Sequence, residues 1–453
     1  MSNKNLFVTC QKNTDTVIEK FEQHFQAKGM PIPNRHEIND VVLICASGRG
    51  GSSLLFRELA RSKEMLSPRG EHVPFERLYL PSIGSIDSDF LGTSDCTNEI
   101  ADKIWKPLYF DLGIGLGSES EPKFQSNDEK GYLLSLEMRF ALQWPGSIYP
   151  GDVRNFIKHS DILSRSHYAP KKLFSYLLEQ FDREGKLHAG YYDNDPLIEQ
   201  KFKSPSQPSP PNDRLIIESP PFIPILRRTW PQRDMIHRLP LLLKATLNAY
   251  RLEFLRKFFP RAHFKIIHLT RNPAASINGL IDGWLHWGFF SHNFKDQQIR
   301  LKIKGYSDRF PWGRYWWNFD LFEGWQDALD LPLEHICMYQ WLNSHKHILS
   351  FKDKLNKDKF NNISWLQIRF EDLLNGREKR QKTYDQITNF LEINRLEAGS
   401  GRFPRGKVMT TAKPRPARWR DRATQILPLL ENPELYKISK QLGYDVKQRL
   451  EWI

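Results

Sequence analysis

Residues 41–46, Val-Val-Leu-Ile-Cys-Ala, run straight into Ser47-Gly48-Arg49-Gly50-Gly51-Ser52-Ser53 and then into Leu54-Leu55-Phe56-Arg57-Glu58-Leu59. These residue types suggest a chemistry before any fold is assumed. Three glycines let backbone N–H groups come close to an anion, since no Cβ intervenes. A helix opening just after them would add unpaired N–H groups and the positive end of its dipole. Ser52 and Ser53 add hydroxyl donors, and Arg49 adds a forked cation. The pattern is a phosphate loop without the magnesium-nucleotide apparatus. Aligned on Gly51, Ala46 stands for the first Walker glycine and Ser52 for the Walker lysine. The G-x-G-x-x-G dinucleotide pattern is also absent. The same residues would serve a plain strand–turn–helix connection.

A second chemistry-bearing stretch covers residues 239–279. It reads as a strand carrying Lys244, a helix stopped at Phe259-Pro260, a further strand, then Arg271-Asn272-Pro273 opening another helix. Pro273 suits the first helical position. Arg271 falls at a strand's carboxyl end, where ligands bind in open α/β sheets.

Both stretches need a scaffold, and the apolar runs predict one. Strands are expected at Val41–Ala46, Leu215–Ile217, Leu239–Leu243, Phe264–Leu269 and Ile363–Ile368. Several are continuous rather than alternating, as in a parallel sheet buried on both faces. Helical spacing follows at Leu54–Ser62, Leu247–Phe259, Pro273–Trp284 and Gln381–Leu391. Repeated strand-then-helix order predicts an α/β fold with a parallel sheet flanked by helices. The Pro/Ser-rich segment 203–213 reads as a linker loop, and 111–130 as a second soft region rich in Gly, Ser and Glu. Residues 285–360, rich in Trp, Phe and Lys, read as a mainly helical elaboration.

Composition narrows the partners. The 453 residues carry a formal net charge of +13, which favours anionic ligands without choosing among them. No apolar run approaches the ~18 residues of a membrane span. The N-terminal residues lack the apolar centre of a signal peptide. The four cysteines are scattered and form no metal-binding pairs. These features predict a cytoplasmic, reduced protein without a cysteine-based metal site, and no metal is expected in the site.

The motifs, in this order, resemble those of PAPS-dependent sulfotransferases, soluble and bacterial in type. Arg49-Gly50-Gly51-Ser52-Ser53 is similar to that family's 5′-phosphosulfate loop, with Gly50 a departure. Lys244, the Phe259-Pro260 stop and Arg271-Asn272-Pro273 are similar to its lysine strand and 3′-phosphate motif. The family's serine after that motif falls at Gly279, and Ser276 lies one turn earlier. Ile368–Leu374 resembles a late structural strand and helix. The basic stretch 401–422 resembles a loop closing over the 3′-phosphate, with Arg402, Arg405, Lys407, Lys413, Arg415, Arg418, Arg420 and Arg422 as its cations.

The resemblance implies one P-loop-like α/β domain over residues 1–453, with insertions at about 73–213 and 285–360 available for an acceptor. It implies that PAPS donates a sulfuryl group to a hydroxyl or amine of a small molecule or glycan. Arg49, Gly50, Gly51, Ser52, Ser53, Arg271, Ser276, Gly279, Arg418 and Arg420 are the candidate cofactor contacts. Such a displacement needs cations on the sulfuryl oxygens and a base at the acceptor. Arg49 and Lys244 are candidates for the first task. Glu71 is the candidate base, expected at the second strand's exit with His72 facing the other way, and with Arg69 as a possible ion-pair partner. His286 and Glu218 are the alternatives. The aromatics Trp284, Trp287, Phe289, Phe290, Trp312, Trp316 and Trp317 suit either an acceptor pocket or a core. The nearby cations Arg300, Lys302, Lys304, Arg309 and Arg314 would suit an acidic glycan. Two other readings stay open: a nucleotide kinase or NTPase of related fold, and a non-catalytic polyanion binder. No nucleic-acid motif supports the latter.

Overall fold

The computed structural model describes residues 3–80, 87–115, 129–144, 146–159, 170–187, 233–286, 289–358, 362–394 and 410–452. The linker 203–213, the strand expected at Leu215–Ile217, and Glu218, Trp287, Arg402, Arg405 and Lys407 lie outside these residues.

The strands are β1 (Asp40–Cys45), β2 (Leu66–Ser67), β3 (Gly113–Ile114), β4 (Leu241–Lys244), β5 (His263–Thr270), β6 (Phe290–Asn293), β7 (Trp316–Asn318) and β8 (Ile363–Arg369). Six of them form one sheet in the order β3-β2-β4-β1-β5-β8. Every neighbouring pair is parallel except β2 with β3. The fold is therefore α/β with a mostly parallel central sheet flanked by helices.

Side-chain alternation along β1 explains why the sheet is buried on both faces. Val41, Leu43 and Cys45 enter one core, while Val42 and Ile44 enter the other. The second core is closed by the helices Ser52–Leu59 and Arg377–Leu391 through Leu55, Phe56, Leu59, Tyr384, Ile387 and Leu391. The first is closed by Asn3–Ala27, Pro273–Trp284 and Leu333–Asp358. Each large apolar side chain buried this way contributes about 1.5–3 kcal/mol relative to exposure.

β1 lies between β4 and β5, with Ile44 in register with both Lys244 and Ile267. The connections leaving β1 and β4 travel in opposite directions across the sheet. Their divergence opens a crevice at the carboxyl ends of the strands.

The helix Pro273–Trp284 begins and ends where its sequence predicts. Pro273 occupies its first turn, and the Asn272 side chain accepts from Ala275 N at 2.8 Å. Asn272 also donates through its backbone and Nδ2 to Glu371 Oε1 at 2.9 and 2.8 Å, tying the end of β5 to the end of β8.

Two expectations are corrected. The single helix expected over Leu247–Phe259 is a 3₁₀ turn, Thr246–Tyr250, followed by a helix Leu252–Phe258. The break falls at Arg251, which leaves helical geometry and buries its guanidinium against Glu76 and Asp89. Residues 285–360 contain the 26-residue helix Leu333–Asp358, but also an antiparallel ribbon of β6 and β7. Among the described residues no helix is long and apolar enough to cross a membrane.

Candidate active site

The loop after β1 turns through two left-handed residues, Arg49 (φ 60°) and Gly51 (φ 93°). At Gly51 a side chain is excluded twice over. Its φ is disfavoured for L-residues, and a Cβ would meet ring carbons of Phe370 at 2.2 Å. Gly50 N donates to Ser47 O at 3.1 Å, closing the turn. The helix Ser52–Leu59 then starts with no side-chain cap. Leu54 N and Leu55 N donate back to Gly51 O at 3.1 and 3.4 Å, which closes the first turn on the glycine. Ser47 Oγ is buried and, among the described residues, has no hydrogen-bond partner.

Three guanidinium groups gather around this loop. Arg271, the residue after β5, donates from Nη1 to Arg49 O at 3.0 Å and lies over the Phe370 ring at 5.0 Å. Arg49 lies over Phe289 at 5.1 Å and donates to Thr411 Oγ1 at 3.2 Å. Arg418 pairs with Asp282 on the helix Pro273–Trp284. Arg422 joins the same carboxylate at 2.7 Å and Asn278 Oδ1 at 2.6 Å.

These cations act on one another. Burial, then Arg271 and Arg418, push Arg49 down to about 10, opposed by Asp282. Burial also lowers Arg271, with Arg418 adding to it and Glu371 and Tyr444 opposing. A bound anion would relieve this repulsion. Ser276 Oγ, fully buried on the helix beside them, has no hydrogen-bond partner among the described residues.

Position 279 has little room for a side chain. A Cβ there would meet Arg49 Cβ at 3.0 Å. The Arg49 side chain thus occupies the space that a side chain at 279 would take. Arg420, by contrast, is exposed, lies over Trp419 at 5.8 Å and donates to Leu450 O.

On the opposite flank, Lys244 ends β4 and is 1% exposed. Its Nζ donates to Ser53 Oγ at 2.9 Å and forms an ion pair with Glu71. Lys244 is an ion-pair partner of Glu71, and the Arg69 backbone N–H donates to Asp111 at 2.9 Å. Glu71 lies beyond β2 and retains 27% side-chain exposure, so solvent reaches it. His72 is not on a strand. It precedes the helix Val73–Tyr79 and is buried, with Nδ1 2.5 Å from Glu76 and Nε2 2.8 Å from Asn248 Oδ1. Asn248 Nδ2 in turn donates to Ile44 O at 3.1 Å, fixing the backbone that leads into the loop.

His286 follows the helix Pro273–Trp284, with its ring 6.1 Å from Phe289. Burial first, then Arg49, push it down to about 4, so it is a neutral imidazole at physiological pH. Trp284, Trp316 and Trp317 are buried, and Trp284 stacks edge-on against Tyr306 and Trp317. They form core, and Trp312 packs partly buried against Phe290 and Trp316.

Phe370, Asp282, Asn278 and Thr411, which lie in stretches with a sequence signal but have no individual one, belong to this neighbourhood, as does Asp320, whose Oδ1 lies 3.9 Å from where a Cβ of Gly48 would stand. Arg422 and Ser47 fell inside stretches already marked. Phe370 and Asp282 carry no distinguishing local signal, since only the fold brings them to the loop.

No family model matches the chain, and no curated protein does. Among solved structures, a sulfotransferase domain from the curacin biosynthetic pathway aligns at TM-score 0.36 and 14% identity, over 90% of this chain and 99% of the other. A sulfotransferase domain from the Synechococcus PCC 7002 olefin synthase aligns at TM-score 0.34 and 13% identity, over 92% and 99%. Likeness this distant has no bearing on chemistry.

Proposed function

We propose that this chain is a sulfotransferase that moves a sulfuryl group from PAPS to a hydroxyl or amine of a small molecule or glycan, leaving adenosine 3′,5′-diphosphate. The observation that carries the reading is the convergence of Arg49, Arg271 and Arg418 on a glycine turn, with the buried Ser47 and Ser276 hydroxyls unpartnered beside them. Unpaired buried hydroxyls among mutually repelling cations suit a multiply charged anion. The site offers cationic groups on two flanks, Lys244 with Ser53 on one and Arg271 with Arg418 on the other. That division supports a ligand with two separated anionic groups. The serine in the Walker-lysine position is a reason to prefer it over a magnesium nucleotide.

In this reading Arg49, Gly50, Gly51, Ser52 and Ser53 hold the 5′-phosphosulfate, and Arg271, Ser276 and Arg418 hold the 3′-phosphate. PAPS supplies the transferable sulfuryl group. Lys244 places positive charge where the departing phosphate gains negative charge. Glu71, held by Lys244 yet open to solvent, accepts the proton from the acceptor. Phe370 and Asn248 hold the loop rigid, so little reorganisation is left for the reaction.

The test is transfer of label from 35S-PAPS to a panel of hydroxyl and amine acceptors by the whole chain. Labelled product that disappears in Glu71→Gln supports the reading. Absence of any product, together with absence of binding by adenosine 3′,5′-diphosphate, overturns it.

A further inference from the structure

We propose that Asp320 is a proton-holding carboxyl beneath the anion loop, and that seating an anion at residues 47–53 draws a proton onto it. This rests on the anion-site reading above. Asp320 follows β7 and is 1% exposed. Its Oδ1 lies 3.9 Å from where a Cβ of Gly48 would stand and has no hydrogen-bond partner among the described residues.

The other oxygen heads a chain of contacts whose hydrogens can be counted. Tyr250 Oη lies 2.6 Å from Asp320 Oδ2 and 3.2 Å from Ser344 Oγ, and Ser344 Oγ lies 2.8 Å from Gln340 O. With Asp320 ionised, the Tyr250 and Ser344 hydroxyls supply two hydrogens for these three contacts. With Asp320 protonated there are three: carboxyl to Tyr250, Tyr250 to Ser344, Ser344 to Gln340 O. Only the protonated form fills the chain. Gln340 Nε2 also donates to Asp320 O at 2.9 Å, so the segment is held in place.

The charged group that acts on it most directly pushes in the same direction. Asp89 is the nearby carboxylate, itself paired with His292 and Arg251. Tyr250 and, on the helix Leu333–Asp358, Ser344 and Cys337 face it as neutral groups. Arg49 sits in the loop above. Burial foremost, opposed by hydrogen bonds from Tyr250 and from its own backbone N–H and reinforced by Asp89, pushes Asp320 up to about 7. An anion arriving at the loop adds negative charge and raises it further, which at neutral pH means proton uptake.

The test uses the full chain, wild type and Asp320→Asn. The amide has an N–H that can donate to Tyr250 as the protonated acid would, so the variant is expected to fold. In the ligand-free arm, the folded chain holds a proton that the unfolded chain releases above the ordinary carboxylate range. Wild-type stability should therefore fall relative to Asp320→Asn as pH rises from 5 to 8.5. In the second arm, adenosine 3′,5′-diphosphate is titrated at pH 7 in buffers of different ionisation enthalpy. Wild type should take up a fraction of a proton that Asp320→Asn does not. A pH-independent stability difference overturns the protonation. Ligand binding with equal proton uptake in both proteins overturns the coupling. Absence of binding, with the first arm positive, overturns the function reading and the coupling while supporting the protonated carboxyl.

Discussion

Lys244 and Glu71 form an ion pair in which only the lysine is sealed from water, with 1% exposure against 27%. The pair joins the end of β4 to the turn after β2, and Lys244 also holds Ser53 at the start of the loop helix. Removal of either partner should therefore be unequal. Glu71→Ala leaves a buried ammonium with only a hydroxyl for company. Lys244→Met leaves a carboxylate that water can still solvate. Denaturant unfolding is expected to show the Glu71 variant less stable than the Lys244 variant, with losses of about 1–3 kcal/mol for the former. Equal losses would mean that the lysine is not sealed as described.

Gly279 yields a sharper expectation, because a serine at this position should harm the protein. The Arg49 side chain fills the space at 279, where a Cβ would come within 3.0 Å of it. Gly279→Ser should push Arg49 from its position and weaken binding of adenosine 3′,5′-diphosphate, measured by calorimetry. Tighter binding in the variant would contradict the packing account.

The three guanidiniums disfavour one another's charge in the free protein, which an anion between them would offset. Arg271→Ala should weaken binding of adenosine 3′,5′-diphosphate by about ten- to a hundredfold, the worth of one charge-assisted contact. Its ligand-free stability should change much less. Arg420→Ala, whose guanidinium turns to Leu450 O, should leave binding nearly unchanged. Parallel titrations check both. A large effect from Arg420 would mean that the basic stretch is placed differently when ligand binds.

A buried histidine pair sets an acid limit. His268 Nε2 lies 3.0 Å from His345 Nδ1, and the outer nitrogens of both are buried without hydrogen-bond partners among the described residues. Burial pushes His345 down to about 3, and burial with His345 and Lys352 pushes His268 well below its ordinary value. Below pH ~6.5 the unfolded chain takes up protons that the folded chain refuses. Stability is therefore full above that pH and falls as pH drops toward 3. Urea unfolding should lose about 2 kcal/mol per pH unit between pH 6 and 5, about 1 from each histidine. His345→Gln should flatten that slope, and an unchanged slope would assign the acid limit to other groups.

The parts of the site that are local in sequence were legible. The glycine loop, the helix Pro273–Trp284 and the strands β1, β5 and β8 all lie close to where apolar runs, glycines and a helix-opening proline place them. Glu71 and Lys244 were marked individually, but their contact needs β2 and β4 to be neighbours, which no local pattern states. The break at Arg251 was hidden because its cause, pairing with Glu76 and Asp89, lies far away in the chain. Phe370 over Gly51, and Asp320 beneath Gly48, are likewise products of topology. His72 departs from the strand expected of it because the turn after the two-residue β2 passes at once into a helix.

The most direct measurement is thermal unfolding of the whole chain with adenosine 3′,5′-diphosphate, with ADP and Mg-ATP as controls, in wild type and in Arg49→Ala and Arg271→Ala. A ligand that binds only the folded state stabilises it by about 2.7 kcal/mol at a hundred times Kd. The expected result is a rise in Tm selective for the 3′-phosphorylated nucleotide and lost in both variants. An equal or larger rise with Mg-ATP, or no rise with any nucleotide, would contradict a PAPS site at residues 47–53.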